Sequence, residues 1–558
     1  MTFCFGPWLP LVALAWPLLL AGLVALPWGR PYGLRWLPLA PLPALWLGWF
    51  APAEPTVLPG VFLGVTLGLD DGRALLLAMT AALWTLAGLA AQRMAGERRI
   101  GVFAGFWGLT LTGNLGVLLA QDVVTFYIAF AAVSLAAWAL VIHERSPAAL
   151  RAGRVYIVLA VVGEAALLVG LLLGAHAAQS LQTADVRAAL ASAPAATQIV
   201  ALLLVGLGIK AGLLPLHVWL PLAHPAAPVA ASAVLSGAIV KAGLVGMMVL
   251  LPDGAAAQVL MGLGLLGAFF AALWGLTQSN PKAVLAYSTV SQMGLMLLLV
   301  GAGGMALAQV PYYALHHGMA KGALFLLVGV MYLSISPAQR WAVLAVAAVC
   351  AVTLAGAPLT GGALVKAAAK QPLPEFWAWA LTLTSCTTTL VMGWFLWRLW
   401  QVKLALAPAR LWLGSWAVPV LAAGIAQLAP WLLWTDWTGR ALSDAWSVAL
   451  LLGSAWPVLL ALPVLAGLIR HPLPQRPPGD VLDLWRGGVN WSPPEWPARP
   501  ARPLRPIWPP RPSWQRLRRR IRVRGARSVA GAEAGLIRWR SGGVVLLIAV
   551  LGLGLLLG

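Results

Sequence analysis

Seven of the chain's 37 Lys and Arg residues are lysine: Lys210, Lys241, Lys282, Lys321, Lys366, Lys370 and Lys403. The remaining 30 are arginine, so arginine serves wherever only positive charge is needed. Lysine differs chemically, because its amine can give up a proton inside a protein and a guanidinium does not. Lys210, Lys241, Lys321 and Lys366 lie within or beside apolar runs. A charged lysine at a bilayer centre costs roughly 2.5–3.5 kcal/mol on insertion scales, so these four read as parts of a proton relay rather than as packing. His317 precedes Lys321 by four residues, which puts both on one helix face. His316 lies beside it, and His217 and His224 lie in a proline-rich stretch. For these three, relay or gating and plain structural hydrogen bonding stand level. Glu164 stands out as an acid deep in an apolar run, where it needs a lysine partner or a proton of its own. Lys282, Lys370 and Lys403 fall near the ends of runs, where an amine is expected to snorkel to the interface.

The rest of the composition describes what holds these groups. Of 558 residues, 61% are hydrophobic and 9% charged, against about 25% charged in soluble domains. Soluble globular, disordered, collagenous and disulfide-rich classes are excluded. Apolar runs predict an all-α polytopic membrane protein of about 16 transmembrane helices, centred near residues 18, 43, 82, 110, 132, 164, 207, 240, 266, 292, 322, 350, 388, 422, 458 and 550. The first run, Pro7 to Leu26, lacks a basic leader and a cleavage site and reads as a retained helix. Cys4, Cys350 and Cys386 have no metal spacing, and no iron–sulfur, haem, dinucleotide or P-loop motif is present. No cofactor, metal or catalytic residue is therefore expected.

Charge alternates between successive loops. Loops after odd-numbered spans carry Arg30, Arg35, Arg93, Arg99, Arg145, Arg151, Lys282 and Arg340; loops after even ones carry Glu54, Asp70, Asp71, Asp185, Asp253, Glu375 and Asp436. The basic loops are expected to face the cytoplasm, with both termini outside, in a bacterial cytoplasmic membrane. Residues 470–542 hold sixteen Arg against four acids, a net +12 of the chain's +21, and are rich in Pro and Trp. This stretch reads as a cytoplasmic segment beside anionic lipid and partner subunits, not as a nucleic-acid binder.

Two spans should be broken. Pro215, Pro221, Pro225 and Pro228 interrupt the seventh, and Gly356, Pro358, Gly361 and Gly362 the twelfth. Unwound backbone at membrane depth must be buried or line a cavity. Paired breaks five spans apart suggest two inverted five-helix repeats. The expected organisation is residues 1–99 (helices 1–3), 100–251 (first repeat, helices 4–8), 252–403 (second repeat, helices 9–13), 404–469 (helices 14–15), 470–542 (the Arg/Pro/Trp-rich segment) and 543–558 (a C-terminal helix).

Four ordered stretches carry a family resemblance: Lys210 to Gly243, Asn280 to Gly294, His317-Gly-Met-Ala-Lys321, and Leu354 to Lys366. Over roughly residues 60–400 the chain resembles the antiporter-like membrane subunits. These are shared by respiratory complex I (NADH:quinone oxidoreductase), Mrp-type cation/proton antiporters and formate-hydrogenlyase-type membrane hydrogenases. The resemblance implies a 14-helix core with two inverted repeats and a hydrophilic axis at mid-membrane. It matches Lys210 to the helix-seven lysine, Lys241 to the helix-eight lysine, His317 and Lys321 to the helix-eleven pair, and Lys366 to the ionisable residue of broken helix twelve.

The sequence departs from that pattern twice. Ala131 takes the place of the family's helix-five Glu, and Leu222 that of the acid after Leu-Pro in helix seven. Glu164, on the neighbouring sixth helix, is expected to supply the missing carboxylate to Lys210.

The expected function is proton translocation, with Na⁺ the open alternative ion, in a larger complex whose partner subunits supply the driving input: a redox-driven one of the NADH:quinone oxidoreductase or hydrogenase kind, in which this chain is a translocase subunit with no redox site of its own, or a secondary cation/proton antiporter. The alternatives are a proton-conducting partner in a two-component inorganic-carbon uptake system and a structural subunit with an impaired channel. The orientation has its own test. A cysteine at Asp253 should react with an impermeant thiol reagent from outside sealed vesicles, and one at Arg340 only from the cytoplasmic side. The reverse pattern would contradict the assignment.

Overall fold

The computed structural model describes residues 8–26, 29–50, 54–61, 63–94, 99–333, 336–402 and 413–479. Lys403, most of the Arg-rich segment and the expected helix at 543–558 lie outside them. Helix dominates the described residues. Among the described residues, eleven helices are long and apolar enough to cross a membrane, and four shorter apolar ones accompany them: Leu9–Val24, Leu37–Trp49, Ala196–Ala211 and Trp416–Leu432. The expected span centres from 18 to 458 each fall inside one of these.

The short second helix is a correction. Arg30 and Arg35 belong to a helical piece, Arg30–Trp36, rather than to a loop. Pro38 and Pro41 then divide the next stretch into a 3₁₀ turn and the helix Leu42–Trp49. A second difference is a small antiparallel hairpin, Thr56–Leu58 with Val65–Leu67, in an otherwise helical chain. Asp122 ties it down: one carboxylate oxygen accepts from Thr66 N at 2.8 Å and the other caps the helix Val123–Val141 through Thr125 N at 2.7 Å.

Caps define the other helix starts. Ser146 opens Pro147–Ala178, Asn280 opens Pro281–Ala302, and Ser336 with Gln339 forms a full capping box at Pro337–Ala355. Burial grades from centre to edge. Pro281–Ala302 is wholly enclosed, whereas Val448–Arg470 has only 11% of its best apolar window inside the protein. The enclosed helices carry the polar side chains, and the peripheral ones present apolar surface, as a lipid solvent requires.

Helices approach most closely at glycine. A Cβ at Gly237 would stand 2.7 Å from the carbonyl oxygen of Gly318, and one at Gly318 would stand 2.8 Å from that of Gly237. The helix interface there is backbone against backbone, the small-residue packing that membrane helices favour. Gly243 similarly lies against the backbone of Leu207 and Ala211. Gly237→Val is therefore expected to destabilise the protein by about 1–3 kcal/mol, the cost of overpacking. Gly262→Ala, which meets open space, should not. Thermal midpoints in detergent compare them; equal values would contradict this packing.

Candidate functional site

The first break begins where Ala196–Ala211 stops at Gly212, whose φ of +75° suits glycine. Leu213 N donates back to Gly208 O at 2.8 Å, and the indole of Trp219 donates to Ile209 O at 2.7 Å, so the opened carbonyls are filled. The chain resumes as Trp219–Ala226. Lys210, in the last turn before the break, is 5% exposed. Its amine lies 3.4 Å from the Tyr156 hydroxyl, which donates to Ser134 O at 2.8 Å. The Phe130 and Tyr156 rings each lie 5.7 Å from it. Glu164 lines the same pocket, a space of about 10 Å³ bounded also by Ser134, Gly163 and Trp219, enough for a single water. One Glu164 oxygen and the Ser134 hydroxyl are both buried there. Glu164 and Lys210 thus face one small space from neighbouring helices, without forming an ion pair within 4 Å among the described residues.

Lys241 is held by a different device. The five residues Leu235–Ile239 form a π-helical turn, with Val240 N reaching Leu235 O at 3.3 Å. Such turns leave carbonyls out of register and recur at functional sites. The Lys241 amine takes one of them, Gly237 O, at 2.5 Å. Because Gly237 meets Gly318 backbone to backbone, Lys241 also reaches His317, with Nζ 3.2 Å from Nδ1. The other ring nitrogen of His317 is buried without a partner. A carbonyl accepts from an ammonium and a neutral amine alike, so Lys241 keeps that bond in either protonation state. Imidazole can take a proton at one nitrogen and release it at the other. Lys321, one turn from His317, does not bond to it; its amine donates to Leu285 O at 3.2 Å.

The second break repeats the capping logic. Pro337–Ala355 ends at Gly356, with φ +80°, and Gly361–Lys370 starts from Thr360, whose hydroxyl accepts from Ala363 N at 3.2 Å. Lys366 reaches back across the gap, donating to Ala355 O at 2.9 Å and to Ser385 Oγ at 3.0 Å. Its amine lies at the C-terminus of Pro337–Ala355, where the macrodipole would favour a positive charge. The Thr353 hydroxyl accepts from Gly362 N at 3.0 Å and lies 3.0 Å from His316 Nε2. His316 is thereby joined to the second break, and its chain neighbour His317 to Lys241.

His217 and His224 are buried but separate from these contacts. His217 packs between Phe270 and Tyr287, and His224 stacks on Phe325 at 4.5 Å with neither ring nitrogen partnered. Lys282 overturns the interfacial expectation. It is 5% exposed and donates to Ala227 O at 2.6 Å, filling the last carbonyl of the first break. Its place in the first turn of a helix suggested solvent, yet that turn abuts an unfilled helix end. Sequence reasoning also passed over Tyr156, Ser134, Thr353 and Ser385, whose hydroxyls carry no signal until the fold gathers them. A buried Tyr313–Gln292–Thr388 chain, at 2.9 and 3.1 Å, belongs with these.

The NADH:quinone oxidoreductase/Mrp antiporter transmembrane family matches residues 120–392. Hydrogenase-4 component B of Escherichia coli is 28% identical over 297 residues, covering 49% of this chain and 44% of that protein. A Na⁺/H⁺ antiporter subunit of Bacillus subtilis is 29% identical over 296 residues, 51% of this chain and 58% of that one. The chain therefore spans about half the length of these relatives. A chain of respiratory complex I from Thermus thermophilus shares the fold with a TM-score of 0.66 at 22% identity, over 80% of this chain and 99% of that one. Residues 120–392 are thus similar to the transmembrane NADH:quinone oxidoreductase/Mrp antiporter family, within a chain that has several membrane-length apolar helices.

Proposed function

We propose that the chain translocates protons as one subunit of a multisubunit complex in a bacterial cytoplasmic membrane. The observation that carries this reading is the buried Lys241–His317 contact at 3.2 Å. Two proton-exchanging groups meet there on enclosed helices, between two broken spans that each end beside a lysine. Lys210 and Glu164 form the lateral terminus of the line, and Glu164 stands in for the carboxylate that Ala131 lacks. Protonation of Glu164 or arrival of charge from a partner subunit changes the field at Lys210 and so displaces a proton toward Lys241. His317 and Lys321 receive it, and His316 with Thr353 leads to Lys366 at the second break. The two breaks belong to inverted repeats over residues 100–251 and 252–403, and the basic loops face the cytoplasm.

The sequence carries no redox-cofactor motif, so the driving input is assigned to the chain's partners. Those include other membrane subunits, with anionic lipid against the Arg-rich segment. A cation such as Na⁺ as the counter-ion is favoured by one observation, the resemblance to the Na⁺/H⁺ antiporter subunit of Bacillus subtilis.

Lys241→Met should lower proton movement into vesicles by about a hundredfold or more, the scale of a lost acid–base group, without loss of the assembled complex. Normal translocation would defeat the relay. Glu164→Gln should likewise impair translocation; a wild-type rate there, with Lys210→Ala inactive, would show that Glu164 is no substitute for the helix-five acid.

A further inference from the structure

Away from the lysine–histidine line, at the end of the bundle that carries the basic loops, two arginines lie flat on tryptophans. Arg340, in the first turn of Pro337–Ala355, has its guanidinium carbon 4.1 Å from the centre of the Trp400 ring. Arg398, in the last turn of Glu375–Trp400, stands over Trp394 and Trp397 at 4.6 and 4.7 Å. Trp341 packs on Trp400 at 4.8 Å, so both arginines belong to one cluster. Stacking fixes a guanidinium plane and leaves its N–H edge to bond elsewhere. Gln401 accepts from one Nη of Arg398 at 3.0 Å. Among the described residues neither Nε has a hydrogen-bond partner, and no carboxylate lies within 4 Å of either guanidinium.

The pairing of the two helices builds this cluster in advance. They run antiparallel and are joined again at Lys366, which bonds the Ala355 carbonyl at the end of one and the Ser385 hydroxyl on the other. Ala355 is fifteen residues from Arg340, and Ser385 fifteen from Trp400, about 22 Å of helix in each case. Equal lengths between two fixed points hold Arg340 opposite Trp400. Inward from the arginines, Trp341, Ala345, Val349 and Val352 are exposed at the spacing of a single helix face, so an apolar stripe leads away from the charged cluster.

We propose that this cluster binds the phosphate of an anionic phospholipid in the leaflet at the basic face, with an acyl chain along the stripe from Trp341 to Val352. Charge complementarity selects the phosphate, because a guanidinium edge matches its oxygens and no protein acid competes for it. Tryptophan sits at headgroup level in membrane proteins, and the stripe continues from there toward the bilayer interior. A free anion or an acidic soluble peptide would leave the stripe uncovered. A zwitterionic headgroup carries a cation of its own, which the two arginines repel. The site is separate from the Arg-rich segment and does not depend on proton translocation.

The test places the assembled complex in phosphatidylcholine vesicles with a trace of phosphatidylglycerol that carries a diazirine on one acyl chain. After illumination, mass spectrometry of the digested chain should find label between Trp341 and Val352, and excess unlabelled phosphatidylglycerol should displace it. Inorganic phosphate should not. A phosphatidylcholine probe with the same diazirine should label the stripe about tenfold less, relative to the largely uncovered helix Val448–Arg470. Arg340→Gln combined with Arg398→Gln should lower the phosphatidylglycerol label by about tenfold or more, through loss of hydrogen bonds to a charged group. Label on Val448–Arg470 should stay at the wild-type level and report an intact bundle. Arg154→Gln, which removes an exposed basic-loop charge, should change nothing. Equal labelling by the two probes, which needs no variant, would overturn the site, as would full labelling of the double variant. Displacement by inorganic phosphate would reassign it to a free anion, and an unlabelled stripe would show that another protein covers it; either result overturns the lipid.

Discussion

Backbone hydrogen bonding in a medium without water governs this structure. An α-helix satisfies its own polar groups, and a broken one does not. The interruptions at residues 212–218 and 356–360, and the turn at 227–228 that ends Trp219–Ala226, release carbonyls that the protein itself must fill. Gly212 and Gly356 let the chain turn back on itself. Trp219, Lys282 and Lys366 then supply the donors, at 2.7, 2.6 and 2.9 Å. The π-helical turn at Leu235–Ile239 presents the same demand without a full break, and Lys241 meets it through Gly237 O. Three lysine amines therefore sit at the places where helical bonding fails.

That arrangement links stability to function. A lysine with a carboxylate partner is fixed in its charged form. A lysine bonded to a carbonyl can lose its proton and keep its position, so the capping role survives the chemical step. Close glycine contacts supply the geometry. Gly237 against Gly318 brings Lys241 to His317, and a side chain at either position would push the helices apart. Glu164 shares the small pocket beside Lys210 without an ion pair to it among the described residues.

Much of this was legible in the sequence because the membrane imposes simple rules. Apolar length located the helices, and proline and glycine located the breaks. Lysine within apolar runs pointed to Lys210, Lys241, Lys321 and Lys366. Glu164 was visible as an acid out of place, though its sharing of a pocket with Lys210 required the crossing of two helices. What stayed hidden depends on contacts between distant segments. Lys282 reads as a first-turn lysine until the end of another helix is placed beside it. Thr353 and Ser385 are ordinary helix residues until Gly362 and Lys366 reach them. The shared face of His317 and Lys321 was a sound inference from spacing, but each amine or ring found a different partner, Leu285 O for one and Lys241 for the other. The hairpin at residues 56–67 escaped because a three-residue strand leaves too little pattern to read.

In the proposed relay the Lys241 amine changes protonation state while staying bonded to Gly237 O. The small number of lysines makes this measurable: with ¹⁵N at lysine Nζ, the chain contributes seven signals, and Lys241→Arg identifies one of them. In membranes holding the assembled complex, solid-state NMR should show that signal moving between the ammonium and amine positions when a proton gradient is applied. A Lys241 signal fixed at the ammonium position while protons cross would contradict the account.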